Sequence, residues 1–293
     1  MKKHTRNYCL RIAVFIALLW LPACSGAIVK SASRMMTGFS ASVMKQQDLQ
    51  LVRDGAPAYL LMVDGLVESH PDNADLLAGA AQIYSAYTSA FVIAEDPERA
   101  KILSSKAKDY AFRAASRKCP KFAALRDKPF AEFEPCVDVF EEEDAPLLFL
   151  VITCWATWIQ AHSYDFNALA DLAKVRLLTE RMLVIDDEYY YGSPHLAMGV
   201  IHTILPPGLG GNPEAGRSEF EKAIEISEEK YLLVHLTFAK QYARAVFDRE
   251  LHDRLLKHVL ETPVDIVPVL TLQNALAKQQ AKELLDSADD FFD

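Results

Sequence analysis

The sequence predicts an all-α protein, an α-α superhelix of degenerate helical hairpins, on three observations. From about residue 45 to residue 293, apolar residues recur at three- and four-residue spacing, the period of a helix with one buried face. No run of alternating β-branched residues bounded by hairpin turns interrupts that pattern. One segment also repeats: Pro97-Glu98-x-Ala100-x3-Ser104-x-Lys106-Ala107 aligns with Pro213-Glu214-x-Gly216-x3-Phe220-x-Lys222-Ala223 at a constant offset of 116.

Taken in order, the chain starts with Lys2, Lys3 and Arg6 and no acid, followed by an apolar run from Ile12 to Leu21. A basic start, a short apolar core and small residues at a cut site define an export signal over residues 1–23. That run is about half the ~20 residues a membrane span needs. Leu21-Pro22-Ala23-Cys24 resembles a bacterial lipobox. By that resemblance Cys24 carries diacylglycerol and becomes the mature N-terminus. Ser25, in place of Asp, then directs the protein to the periplasmic leaflet of the outer membrane. Each buried methylene of the acyl chains holds it there by ~0.8 kcal/mol. Residues 24–44 read as a lipid-attached tether merging into a first helix, and residues 45–293 as the helical domain.

Within that domain a helix is expected over Ala56–Ser69, opened near Pro57 and ended by His70-Pro71. Asn73 caps the next, to about Val92. Asp96-Pro97-Glu98 opens another with an N-cap, a proline at the first position and an early acid. Further helices are expected over 145–162, 167–185, 193–204, 213–227, 229–246, 248–261 and 267–287, with Tyr189-Tyr190-Tyr191 in a turn. From Cys119 to Asp144, prolines and aromatics obscure any period. The helix pair over 145–185 is a candidate degenerate hairpin.

The spacing of Ala100, Ser104 and Ala107, and of Gly216, Phe220 and Ala223, resembles the second helix of a tetratricopeptide repeat. Gly79 and Gly199 stand where the first helix of such a pair needs a small residue. The hairpin loops are enlarged relative to that repeat. Gly79, Ala100, Ala107, Gly199, Gly216, Phe220 and Ala223 are the expected repeat-packing residues.

Composition narrows function. The chain has 31 Lys+Arg against 40 Asp+Glu, and losing Lys2, Lys3, Arg6 and Arg11 with the signal takes its formal charge from −9 to −13. So acidic a body is a poor nucleic-acid binder, because it has few cations to replace phosphate counterions. Gly208–Asn212 lacks the Gly-Lys-Ser/Thr ending of a phosphate loop, and Asn212 reads as a cap with Pro213 at the first helical position. Glu141-Glu142-Glu143-Asp144 reads as helix-starting charge, its consecutive side chains not expected to converge on an ion. His195 and His202 share a helix face about 10 Å apart, too far for one metal without other helices. No catalytic, metal or cofactor motif is recognised, so the chain is expected not to be an enzyme. Of five cysteines, Cys9 leaves with the signal and Cys24 is the lipid site. Cys154 reads as a buried small hydrophobe. Cys119 and Cys136 each sit beside a proline, and a disulfide between them would close a short irregular loop, worth ~3 kcal/mol; whether they pair stays open.

Asp54-Gly55-Ala56-Pro57 through Phe91, Leu205-Pro206-Pro207-Gly208-Leu209-Gly210-Gly211-Asn212-Pro213-Glu214, and Tyr231 through Phe247-Asp248-Arg249-Glu250 together are similar to the T-component family, tetratricopeptide-like lipoproteins of tripartite ATP-independent periplasmic (TRAP) transporters. The Asn274-Ala275-Leu276-Ala277-Lys278 helix fits as well. The resemblance implies a soluble α-helical body that forms a ring-like trimer and partners the transporter's solute-binding protein, with a role for apolar ligands. The expected function is therefore a non-catalytic adaptor. The alternatives are a stand-alone carrier of hydrophobic ligands and an envelope-assembly scaffold. Candidate groove residues are Tyr84, Tyr87, Trp155, Trp158, His195, His202 and Tyr242, whose rings offer apolar area with a polar tip. Packing between hairpins is the competing role for the same aromatic stripes.

Overall fold

A computed structural model describes residues 36 and 38–293. The signal, Cys9 and Cys24 lie outside the described residues. Residues 36 and 38–40 are helical and belong to a first unit, and residues 41–293 form a second. Among the described residues every regular element is helical.

Helix α1, Leu49–Ser69, starts seven residues before the expected opening at Ala56, and Pro57 lies inside it. The Asp48 carboxylate accepts the Leu51 N–H at 3.0 Å and so caps the earlier start. Val52, Tyr59, Leu60, Val63 and Val67 form its buried stripe. Leu51, Leu61 and Met62 stand exposed.

Helix α2, Ala74–Tyr87, is capped by Asn73 and runs on as a π-turn over Thr88–Val92. Helix α3, Pro97–Ala115, follows with Asp96 accepting the Arg99 N–H at 3.0 Å. This α2–α3 hairpin is one of the two most extensive helix pairs. Ala100 and Ala107 are fully buried in it and Gly79 is half-buried.

Between α3 and α4 (Ala145–Ala161) the chain makes only short helices, Phe122–Leu125 and Phe130–Phe133, and 3-10 turns at Glu134–Cys136 and Glu142–Asp144. Their purpose is visible in the aromatics: Phe122, Phe133 and Phe140 are fully buried. Phe122 stacks on Phe112 with ring centres 5.1 Å apart, and Phe133 meets Trp155 edge-on at 5.6 Å. An aromatic plug built from single turns has no helical period to read.

Helix α4 is apolar nearly all round. With its leading turn it is long and apolar enough to cross a membrane, but half of that stretch is buried inside the fold. It packs on α2, α3 and α5, as a core helix does. The helix expected over 167–185 is two pieces, Phe166–Ala170 and α5, Leu172–Ile185, broken at Asp171.

Helix α6, Tyr189–Thr203, contains three left-handed residues, Tyr190 (φ 42°), Tyr191 (φ 61°) and Gly192 (φ 75°). Such backbone costs a non-glycine residue about 1–2 kcal/mol. The turn is held by Tyr190, whose ring meets Tyr231 edge-on at 6.0 Å and whose hydroxyl donates to Gln273 Oε1 at 3.1 Å. Helix α7, Pro213–Ile226, is capped by Asn212 and pairs with α6 in the other extensive contact. Here glycine is a steric need: a Cβ on Gly216 would sit 2.6 Å from Thr203 Cγ2, and one on Gly199 would meet the Phe220 ring at 2.9 Å.

Helix α8, Leu232–Phe238, begins later than the expected 229 because Glu228 and Glu229 are left-handed, and it ends in a π-turn, Ala239–Ala243. Helix α9, Arg249–Glu261, is capped by Asp248, and α10, Thr271–Asp286, follows a 3-10 turn. Thus α2–α3 and α8–α9 share a π-turn exit, a likeness the sequence repeat, which links α3 to α7, does not carry. Buried Asn274 binds α10 to α8, accepting the Leu232 N–H at 3.0 Å and donating to Lys230 O at 3.1 Å. The last helices return to the first: Leu272 N–H donates to Met44 O at 3.0 Å.

Candidate functional site

Four of the seven candidate groove residues are interior. Tyr84, Tyr87, Trp155 and Tyr242 are 3%, 6%, 0% and 3% exposed. Their stripes are seams between helices, which leaves too little area for a partner. Trp158, His195 and His202 are half-buried, the His195 side chain only 13% exposed.

The buried seams nevertheless build polar centres. Asp64 on α1 receives the Tyr84 hydroxyl at 2.6 Å, the Tyr110 hydroxyl at 2.9 Å and Lys106 Nζ at 2.5 Å. Burial opposes the carboxylate, but these three hydrogen bonds outweigh it and hold Asp64 below the ordinary carboxylate range. One acid thereby ties α1 to α2 and α3.

A second centre lies between α3, α4 and α5. Asp171 accepts Trp155 Nε1 at 3.0 Å and Lys174 Nζ at 3.2 Å, with Lys108 Nζ at 3.5 Å. Lys174 also donates to the Arg126 carbonyl at 2.9 Å. Lys108 stands 3.5 Å above the centre of the Trp158 ring, a cation–π contact. Burial pulls the Lys108 ammonium down to about 8, against the pull of Asp171. Trp158 closes this box at the surface, its Nε1 donating to Ser105 Oγ at 3.1 Å and its ring lying on His162 at 4.5 Å. Sequence reasoning singled out the two tryptophans and missed Lys108, Asp171 and Lys174. The available signal was a lysine inside the apolar stripe of α3, at the 104, 107, 108, 111 and 112 spacing.

The helices that carry these centres, from α1 to the last short helix at Ala288–Phe292, fall inside a match over residues 45–292 to the TRAP transporter T-component family. The chain belongs to that family. A T-component is an accessory part of TRAP transport. No curated protein sequence matches the chain.

In this T-component the remaining candidates fall on the α6–α7 pair and on the loop before α4. His195 Nδ1 lies 2.6 Å from Glu219 Oε2, and its Nε2 3.5 Å from Asp187 Oδ2. Burial lowers the His195 pKa, but Glu219 and then Asp187 outweigh it, so the imidazolium is favoured. His202, one face along, is pushed the other way by burial and by Arg176. His195 and Glu219 thus form a polar rivet between α6 and α7, and the two histidines have opposite protonation preferences.

The acidic run behaves differently from expectation. The 3-10 turn folds it back, and carboxylate oxygens of Glu141, Glu143 and Asp144 come within 4.8 Å of one another. Lys118 Nζ answers that charge, 2.7 Å from Asp144 and 3.5 Å from Glu141. Cys119 and Cys136 meet with sulfurs 3.6 Å apart as free thiols. Cys154 is fully buried and its thiol is pushed up to about 12 by burial, a state without nucleophilic character at neutral pH.

Proposed function

We propose that this T-component is a non-catalytic, lipid-anchored adaptor that binds the solute-binding protein of a TRAP-type uptake system from the periplasmic face of the outer membrane, as a homotrimer. The observation that carries the reading is the family match over the whole helical body. The lipobox at Cys24 and the export signal before it support the anchoring. The polar centres support the absence of chemistry: their acids and bases are spent on one another as structural ties.

What the surface offers a partner is aromatic and acidic. Tyr164, in the turn after α4, and Phe166, at the start of the short helix that follows, are 99% and 86% exposed. Exposed aromatic rings mark contact surfaces because they bring large apolar area with little conformational entropy to lose. The formal charge of −13 on the mature chain steers a basic partner patch, raising the on-rate more than the affinity.

The test mixes the T-component with a TRAP solute-binding protein from the same genome and follows association by calorimetry and light scattering. Binding at micromolar concentrations is expected, weakened about tenfold in the Tyr164→Ser/Phe166→Ser variant, a loss of about 1.4 kcal/mol. No association between the two folded proteins would sink the adaptor reading. For the anchor, Cys24→Ala is expected to move the protein from the membrane fraction to the soluble periplasmic fraction, and unchanged fractionation would show that another group is the tether.

A further inference from the structure

We infer that Cys119 and Cys136 are a built disulfide site, closed after export, that clamps the aromatic plug between α3 and α4 onto the lysine–tryptophan box. Both thiols are half-buried, and their sulfurs face each other at 3.6 Å across a loop of 17 positions. That contact has to shorten to the ~2.05 Å of a disulfide. Lys118, the residue before Cys119, reaches Asp144 and Glu141 and so ties the start of the loop to the segment that follows Cys136.

What the clamp encloses gives it a purpose. Phe122 and Phe133 lie inside the loop, are fully buried, and pack on each other at 5.6 Å. They reach out of it to Phe112 and Trp155. Arg126, also inside, supplies the carbonyl that binds Lys174. These single-turn segments have no long helix of their own to order them, so a covalent tie at the loop's base removes freedom that packing alone must otherwise remove.

The chemistry is thiol–disulfide exchange with a disulfide oxidant, whether a protein disulfide or glutathione disulfide. One thiol loses its proton, and the thiolate attacks the oxidant's sulfur, releasing one donor thiolate and leaving a mixed disulfide. The second thiolate attacks that mixed disulfide, forming the Cys119–Cys136 bond and releasing the second donor thiolate. The two cysteines together give up two protons and two electrons, and the oxidant leaves as two thiols. Cys154 does not compete, because its sulfur is buried against Ala81 O at 3.6 Å.

The inference rests on the exported location only for when the bond forms, and the test separates the two. The purified full chain is equilibrated in glutathione buffer, denatured, alkylated before and after reduction, and mapped by peptide mass. Cys119 and Cys136 are expected to resist alkylation until reduced, whereas Cys154 alkylates at once. Reductant is then expected to lower the melting temperature of the wild type by about 5–10 °C, to red-shift its tryptophan emission, and to leave Cys119→Ser/Cys136→Ser unchanged. Free alkylation of both residues after oxidation, or an equal effect of reductant on the double variant, would overturn the site. If the bond forms in glutathione but is missing from protein recovered from cells, the site stands and the export reading is the one that fails.

Discussion

Asp171→Asn is expected to remove about 3–5 kcal/mol of folding free energy, read from urea unfolding. The substitution keeps the shape of the side chain and an oxygen for Trp155 Nε1, so packing is conserved and charge alone changes. The Lys108 and Lys174 side chains are only 7% and 9% exposed, and Asp171 is the acid that contacts both. Without it two ammonium groups are left in a region of low polarity beside Arg126. The pH dependence identifies the cause. Lys108 titrates in the fold near 8, below its ordinary 10.5. A lysine held low contributes nothing adverse above its unfolded pKa, and stability is lost as pH falls from there through the folded value. The deficit of Asp171→Asn is therefore expected to shrink between pH 7 and pH 10, and Lys108→Met in the same chain is expected to recover part of it at pH 7. A deficit that ignores both changes would mean the aspartate acts through packing.

Acid is expected to destabilise the protein from about pH 6.5 downward, through His235. This ring on α8 is 4% exposed, and it stacks on His258 of α9 at 4.3 Å. Its Nδ1 makes no well-formed hydrogen bond, and the backbone contact at Tyr231 that favours the charged ring is outweighed. Burial, and then the neighbouring His258, push its pKa from 6.5 to about 3. The unfolded chain therefore binds a proton that the folded chain refuses, so stability is complete above 6.5 and falls on the way down to about 3. The slope is about 1.4 kcal/mol per pH unit, or about 2 kcal/mol lost at pH 5. His202 adds in the same direction. His195, whose pKa is raised, opposes it: its contribution is full below its unfolded value and is lost as pH rises through the folded one. His235→Phe keeps an aromatic face toward His258 and removes the titrating group. Chemical denaturation at pH 5 and pH 7 should therefore show a much smaller difference in this variant than in the wild type, and an unchanged difference would locate the acid sensitivity elsewhere.

The helical fold was readable because its start signals are local. Asn73, Asp96, Asn212 and Asp248 each cap a helix by accepting an N–H three residues on, and each is visible as a polar residue before an apolar period. The start of α1 was not readable, because Pro57 looks like an opening residue while the actual cap at Asp48 lies farther upstream. The stretch from Cys119 to Asp144 hid its order in long-range ring contacts that leave no periodic trace. For the site the difficulty ran the other way. Tyr84, Trp155 and Tyr242 were visible because they are periodic, and periodicity is the mark of burial, so the most legible aromatics are the least available to a partner. Lys108 and Lys174 were passed over because a lysine ordinarily reads as surface, and their partner Asp171 looks like an ordinary turn residue. The left-handed run at Tyr190–Gly192 falls on the turn expected at Tyr189–Tyr191, although only the glycine hints at its handedness.

The bond from Leu272 to Met44 bears on how the molecule comes apart. Linear arrays of helix pairs usually fray from whichever end is weakest, one unit after another, since each unit touches only its neighbours. Here the two ends are stapled, so neither can peel away first without breaking the seam to the other. Amide protons on the outermost helices should then exchange as slowly as those at the centre, and residues 41–293 open as a single cooperative event.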